Sequence, residues 1–162
     1  MSDKTKPAAI DPHAVEAHHG TGYPAPFDAD CTQREKRRLG DAFGLTQFGV
    51  NMTHLSPGQM SAQRHWHSRE DEFTMMLEGE AVLVTDTGEQ IVRPGMVMGF
   101  PAGAGNGHHL VNNSDQAASY LEIGDRIGED EVFYPDVDLR LVSDGRGGHV
   151  FTHRDGKPYR TD

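Results

Sequence analysis

At 162 residues and 17.8 kDa, the chain is long enough for one domain with a modest core and too short for a second enzyme domain. A net charge of −10 creates a field that repels nucleic-acid phosphates and anionic membrane surfaces, and no apolar run approaches the roughly 18 residues of a membrane span. The start of the chain lacks the apolar stretch of a secretory signal, and the single cysteine, Cys31, excludes an intrachain disulfide, so the expected setting is the cytoplasm.

Nineteen glycines and nine prolines punctuate the chain often enough to favour many short strands over long helices. Residues 1–44 read as an extended arm and connector, with at most one helical turn near Val15 to His18. His13, His18 and His19 carry no regular ligand spacing and read as solvated. The basic run Gln33 to Arg38 lacks a neighbouring recognition helix and reads as a solvated, charge-rich connector.

From Leu45 the pattern changes. Phe48, Val50 and Met52 alternate with Gly49, Asn51 and Thr53, the period of a half-buried strand. Ser56-Pro57-Gly58 turns the chain into a segment holding His65 and His67. In an extended strand these two point to one face, with Trp66 on the other, where the N-terminal arm or a second subunit would cover it. By the same alternation Ser61 and Gln63 share the histidine face, which places Gln63 beside the site.

A short polar turn leads to Glu72, which opens Phe73-Thr74-Met75-Met76-Leu77. A hairpin there returns its carboxylate to the two rings, with Thr74 and Met76 on its face. Ala81 to Thr85 is the next strand, and Asp86-Thr87-Gly88 closes a hairpin by turn chemistry. Pro94-Gly95 makes another turn before Met96 to Phe100. The rim Pro101 to Gly107 bends into His108-His109-Leu110, where His108 is a fourth candidate ligand, His109 its competitor, and Leu110 a cavity wall. A phosphate loop is rejected for the rim, since no Gly-Lys-Ser/Thr follows it.

Ala118 to Ile123 reads as the last barrel strand. If its Tyr120 face points inward, Tyr120 and Glu122 become candidates for proton transfer, with His54 a third. Residues 126–162 form an extension, with a hairpin of Leu139 to Val142 against His149 to Thr152. Three imidazoles and one carboxylate form a nitrogen-rich donor set suited to a divalent transition metal such as Fe, Mn, Ni or Zn.

The spacing Gly58-x6-His65-x-His67-x4-Glu72-x6-Gly79 resembles the first conserved motif of the cupins. Gly95-x5-Pro101-x-Gly103-x4-His108-x3-Asn112 resembles the second, with two extra residues ahead of His108. The resemblance covers residues 45–125. It implies an all-β fold, the cupin double-stranded β-helix or jelly-roll barrel, flanked by the extended N-terminal arm and the C-terminal hairpin. It also implies one metal held by His65, His67, Glu72 and His108.

Within that family the chain looks like small single-domain proteins likened to sugar-phosphate isomerases, which implies a metal-dependent enzyme on a small polar metabolite. A non-haem Fe(II) dioxygenase and a non-catalytic metal-containing binding or sensor module remain the alternatives. A small-molecule ligand is expected in each case. The resemblance, together with Trp66, Phe73, Met75 and Leu77 facing outward, also implies a homodimer.

Overall fold

Short β-branched and aromatic runs broken by glycine turns leave little room for helix. The computed structural model describes residues 8–159, and among them only Leu39–Phe43 (α1) is α-helical. The strands, in chain order, are β1 (Ala17–His19), β2 (Arg34–Arg38), β3 (Phe48–Leu55), β4 (Trp66–His67), β5 (Glu72–Glu78), β6 (Ala81–Thr85) and β7 (Gly88–Val92). They continue with β8 (Val97–Phe100), β9 (His108–Val111), β10 (Ala118–Asp125), β11 (Val132–Tyr134), β12 (Leu139–Ser143) and β13 (His149–Thr152). All pairings are antiparallel.

A six-stranded sheet runs β1-β2-β3-β10-β5-β8, a three-stranded sheet β7-β6-β9, and a four-stranded sheet β13-β12-β11-β4. The first two face each other. Leu55, Met76, Met98 and Tyr120 from the larger sheet pack against Leu83, Val92 and Leu110 from the smaller. This is the expected jelly-roll barrel. The C-terminal hairpin also forms, as β12 against β13. It builds a second apolar cluster in which Val132, Tyr134 and Leu139 meet Tyr23 and Phe27 of the N-terminal arm. No helix among the described residues is long and apolar enough to cross a membrane.

Three local expectations are corrected. The helical turn expected between Val15 and His18 lies slightly earlier, as a single 3-10 turn at Pro12–Ala14 capped by Val15, and Ala17–His19 is instead a strand paired with β2. The supposed connector is also a strand: Arg34 to Arg38 lies against Leu55 to Asn51 of β3. Backbone pairing holds it in the sheet although it carries no apolar side chain. Trp66 is covered by the C-terminal extension, stacking on Phe133 with ring centroids 4.3 Å apart and planes 7° from parallel.

On β3 the register with β10 sets the inner face. Tyr120 pairs with Thr53 and Glu122 with Asn51, so Asn51, Thr53 and Leu55 face the barrel. Phe48, Val50 and Met52 therefore lie on the outer side.

One turn is sterically exacting. Gly79 has φ +70°, and a Cβ there would lie 2.4 Å from the Ala117 carbonyl oxygen and 2.8 Å from Ala118 Cα. Both obstacles are backbone, so neither can swing aside. Gly79→Ala is predicted to cost about 3 kcal/mol or more, combining left-handed strain with the clash. Urea unfolding checks this; a loss under about 1 kcal/mol would show that the turn relaxes freely.

Candidate metal centre and cavity

The backbone brings the two histidine segments together directly. His65 and His108 form an antiparallel bridge, with His65 N–H donating to the His108 carbonyl at 3.1 Å and His108 N–H returning to His65 at 2.8 Å. β4 continues from His65, and β5 begins at Glu72 across the short turn. Alternation then does what the spacing predicts. His65 and His67 share a face with ring centroids 5.2 Å apart, and His65 lies 4.8 Å from His108.

Glu72 Oε2 sits at the convergence. It is 2.9 Å from His108 Nε2, 3.5 Å from His67 Nε2 and 3.7 Å from His65 Nε2. The ligand atoms of His65, His67 and Glu72 all lie within 4.8 Å of one another. His108 rather than His109 stands beside the carboxylate, because His109 Nδ1 is engaged by the Ala62 carbonyl at 2.9 Å.

Tautomers follow from the far side of each ring. His65 Nδ1 donates to the Gln63 carbonyl at 2.9 Å, which leaves Nε2 as a lone pair facing the site. His67 Nδ1 meets Asp130 Oδ2 at 2.6 Å, so its Nε2 is likewise directed inward. This carboxylate–imidazole pair is a common way of orienting a metal-binding histidine. Asp130 is buried and also accepts from Ser68 Oγ at 3.0 Å and Arg69 N–H at 2.8 Å. The His108 ring is clamped flat against Phe100, with centroids 3.5 Å apart.

Electrostatics reflect this crowding. Burial works to raise the Glu72 carboxyl, but the His108 and His65 rings outweigh it and hold the group well below the ordinary carboxylate range. Burial works to lower His65, yet the Glu72 carboxylate leaves it raised. At His108 burial prevails and the ring is lowered.

Glu72 Oε2 nevertheless has no aligned hydrogen-bond donor although it is fully buried. A buried carboxylate oxygen left without a donor costs on the order of 1–3 kcal/mol. Three ring nitrogens facing it without an aligned proton fit a cation at that point. The donor set suits a transition metal better than Ca or Mg.

The cluster opens on a cavity of about 250 Å³. Thr74, Leu110, Tyr120 and Glu122 line it, so the Tyr120 face of β10 points inward. Glu122 is held by Lys36 Nζ, and by Asn51 Nδ2 at 3.0 Å. The Tyr120 phenol is pushed well above its ordinary value by burial and then by the Glu122 charge. It stays protonated at neutral pH and acts as a donor, not a base.

Three expected residues are not brought to the cavity. Gln63 turns its amide to the Phe27 carbonyl at 2.8 Å, because residues 61–64 bend instead of continuing the strand. Met76 is fully buried in the core cluster. His54 lies between inward-facing Thr53 and Leu55 and so falls on the opposite face of β3.

Sequence reasoning missed several residues that matter here. Arg34 and Lys36 reach the cavity from β2, Tyr23 from the arm and Tyr134 from β11. The signal for the first two was their i, i+2 spacing in Arg34-Glu-Lys36, a strand period written entirely in charged residues. Asp130 had no local signal; only the long-range packing of the tail brings it to His67.

Comparison with known proteins agrees with this fold. The Cupin domain family matches residues 51–124. A crystal structure from Silicibacter pomeroyi DSS-3, described as a sugar phosphate isomerase from a cupin superfamily, is 42% identical. It aligns over 95% of this chain and 98% of its own, with a TM-score of 0.89. A candidate sugar phosphate isomerase from Acidithiobacillus ferrooxidans is 28% identical over 80% of this chain and 82% of its own, TM-score 0.70. The polyketide cyclase RemF from Streptomyces resistomycificus, 24% identical over 72% of this chain and 78% of its own with a TM-score of 0.58, shares the fold. No curated protein matches significantly.

Proposed function

Since the chain belongs to the cupin superfamily, we propose that it is a metal-dependent isomerase of small phosphorylated sugars, with the metal held by His65, His67, Glu72 and His108. One observation carries the reading. The carboxylate of Glu122, fixed by Lys36 and Asn51, faces the same cavity as the histidine cluster. The similarity to the Silicibacter pomeroyi sugar phosphate isomerase supports the substrate class.

An aldose–ketose interconversion moves one proton between adjacent carbons and another between their oxygens. When bound, the metal would polarise the substrate carbonyl and its neighbouring hydroxyl. Glu122 takes the proton from the carbon beside the carbonyl, the C–H electron pair forms the carbon–carbon double bond of an enediolate, and the carbonyl π pair moves to its oxygen, which takes the proton of the neighbouring hydroxyl. Glu122 then returns the proton to the neighbouring carbon as the new carbonyl forms. Lys36 and Asn51 hold the carboxylate still between the two transfers. The Tyr120 hydroxyl serves as a neutral donor to substrate oxygen. Leu83, Met98, Phe100 and Leu110 wall the cavity and limit water, which strengthens every polar contact inside.

The direct test is turnover of a panel of aldose and ketose phosphates by protein reconstituted with Mn, Fe, Ni or Zn. Interconversion of at least one pair is expected. No turnover with any metal would overturn the reading.

We also propose a homodimer through the outer face that carries Phe73, without Trp66. With Trp66 covered by Phe133, the exposed apolar stripe is Phe48, Phe73 and Val97 on the outer side of the six-stranded sheet, with Val97 58% exposed. Such a stripe favours a partner. Light scattering is expected to give a dimer that Val97→Glu dissociates; a monomer at micromolar concentration would contradict it.

A further inference from the structure

The charged side chains lining the cavity, histidines apart, are Arg34, Lys36, Glu72 and Glu122. Lys36 pairs with Glu122, and Glu72 stands among the histidines. Arg34 differs from these. Its Nε and Nη2 donate to the Gly20 carbonyl at 3.3 and 3.1 Å, and its Nη1 to the Ser61 carbonyl at 2.5 Å. Among the described residues it makes no ion pair. Backbone carbonyls fix the guanidinium plane without neutralising it, and one N–H on each Nη is left over. Arg34 is thus a positionally fixed, half-buried cation with free N–H groups at the cavity.

A second observation is independent of the first. The Tyr120 hydroxyl is buried, its residue only 2% exposed; the Thr53 and Ser61 hydroxyls stand near it, but neither is aligned as a hydrogen-bond partner. It lines the same cavity as Arg34. A buried phenol normally finds a partner, so this one is left for something that enters.

We propose that Arg34 and the Tyr120 hydroxyl form an anion subsite of this cavity, which takes the anionic end of the substrate, a phosphate ester or a carboxylate. The planar guanidinium suits either oxyanion, donating to two oxygens, while the phenol donates to one of them. The inference rests on the cavity being the substrate site. It adds that β2, a strand of the N-terminal region, selects charged over neutral sugars.

The test is calorimetric titration of the metal-loaded full chain with inorganic phosphate and, separately, acetate. Phosphate binding is expected to weaken by about ten- to a hundredfold in Arg34→Gln and by about three- to tenfold in Tyr120→Phe. It should persist in His67→Ala. Arg34→Gln also removes the bonds to Gly20 and Ser61, so its fold is checked by circular dichroism. Tyr120→Phe removes one hydroxyl that no aligned protein hydrogen bond holds and keeps the test valid if the first variant unfolds.

Acetate bound in place of phosphate, with the same variant sensitivity, supports the subsite and identifies a carboxylate as its ligand. Unchanged binding in both variants, or binding lost in His67→Ala, overturns it, the latter placing the anion at the metal centre. Binding without turnover of any sugar phosphate would leave the subsite standing and remove the isomerase reading. Turnover unaffected by Arg34→Gln would do the reverse.

Discussion

Glu122→Gln is expected to lower kcat by about two to four orders of magnitude, the range over which a positioned general base accelerates proton transfer. The amide is nearly the size of the carboxylate and can keep a hydrogen bond to Lys36 or Asn51. Packing should therefore survive while the ability to accept a proton from carbon is lost. Metal content should be unchanged, because Glu122 is outside the ligand cluster. KM should move little, which separates a chemical role from a binding one. Exchange of substrate C–H with solvent deuterium gives an independent readout: it should vanish in the variant. A kcat within threefold of the parent would remove Glu122 from the mechanism.

Asp130→Ala should weaken metal affinity by about ten- to a hundredfold, the usual effect of losing the carboxylate behind a liganding histidine. Three groups lose their partner at once: His67 Nδ1, Ser68 Oγ and Arg69 N–H. Glu131 N–H keeps its bond to Ser68 Oγ at 2.8 Å, so the chain path at the tail need not collapse. The stability cost is on the order of 2 kcal/mol, from buried donors left unpaired. Competition with a chromophoric chelator measures the affinity, and thermal melting with excess metal separates it from unfolding. Parental affinity in a folded variant would mean that the backbone alone orients His67.

The barrel and the histidine cluster could be read from the chain because their determinants are local. His65-x-His67 depends only on strand alternation, and Glu72 only on a short turn. Gly79 and Gly95 both adopt positive φ, 70° and 87°, where the expected turns lie. The alternation of β3 does not say which face enters the barrel, because apolar content is a weak guide on a strand with two covered sides. Met52 is buried outside the barrel, and Thr53 and Leu55 within it.

What could not be read was long-range. β2 pairs through its backbone and carries only charged side chains, so hydropathy does not mark it as a strand. From the sequence alone, Arg34 and Lys36 therefore read as solvated. Asp130 is 63 residues from His67, and the pairing of β11 with β4 that unites them has no counterpart in either local sequence. Gln63 fails for the opposite reason. Strict alternation does not hold through residues 61–64, where the chain bends, and the arm's Phe27 carbonyl captures its amide.

The proposed chemistry depends first on a metal at the histidine–glutamate cluster. Elemental analysis of untagged protein, purified without added metal beside His67→Ala, tests that most directly. Near-stoichiometric iron, manganese, nickel or zinc in the parent, absent from the variant, is the predicted result. No transition metal in the parent, or the same content in both, would contradict it.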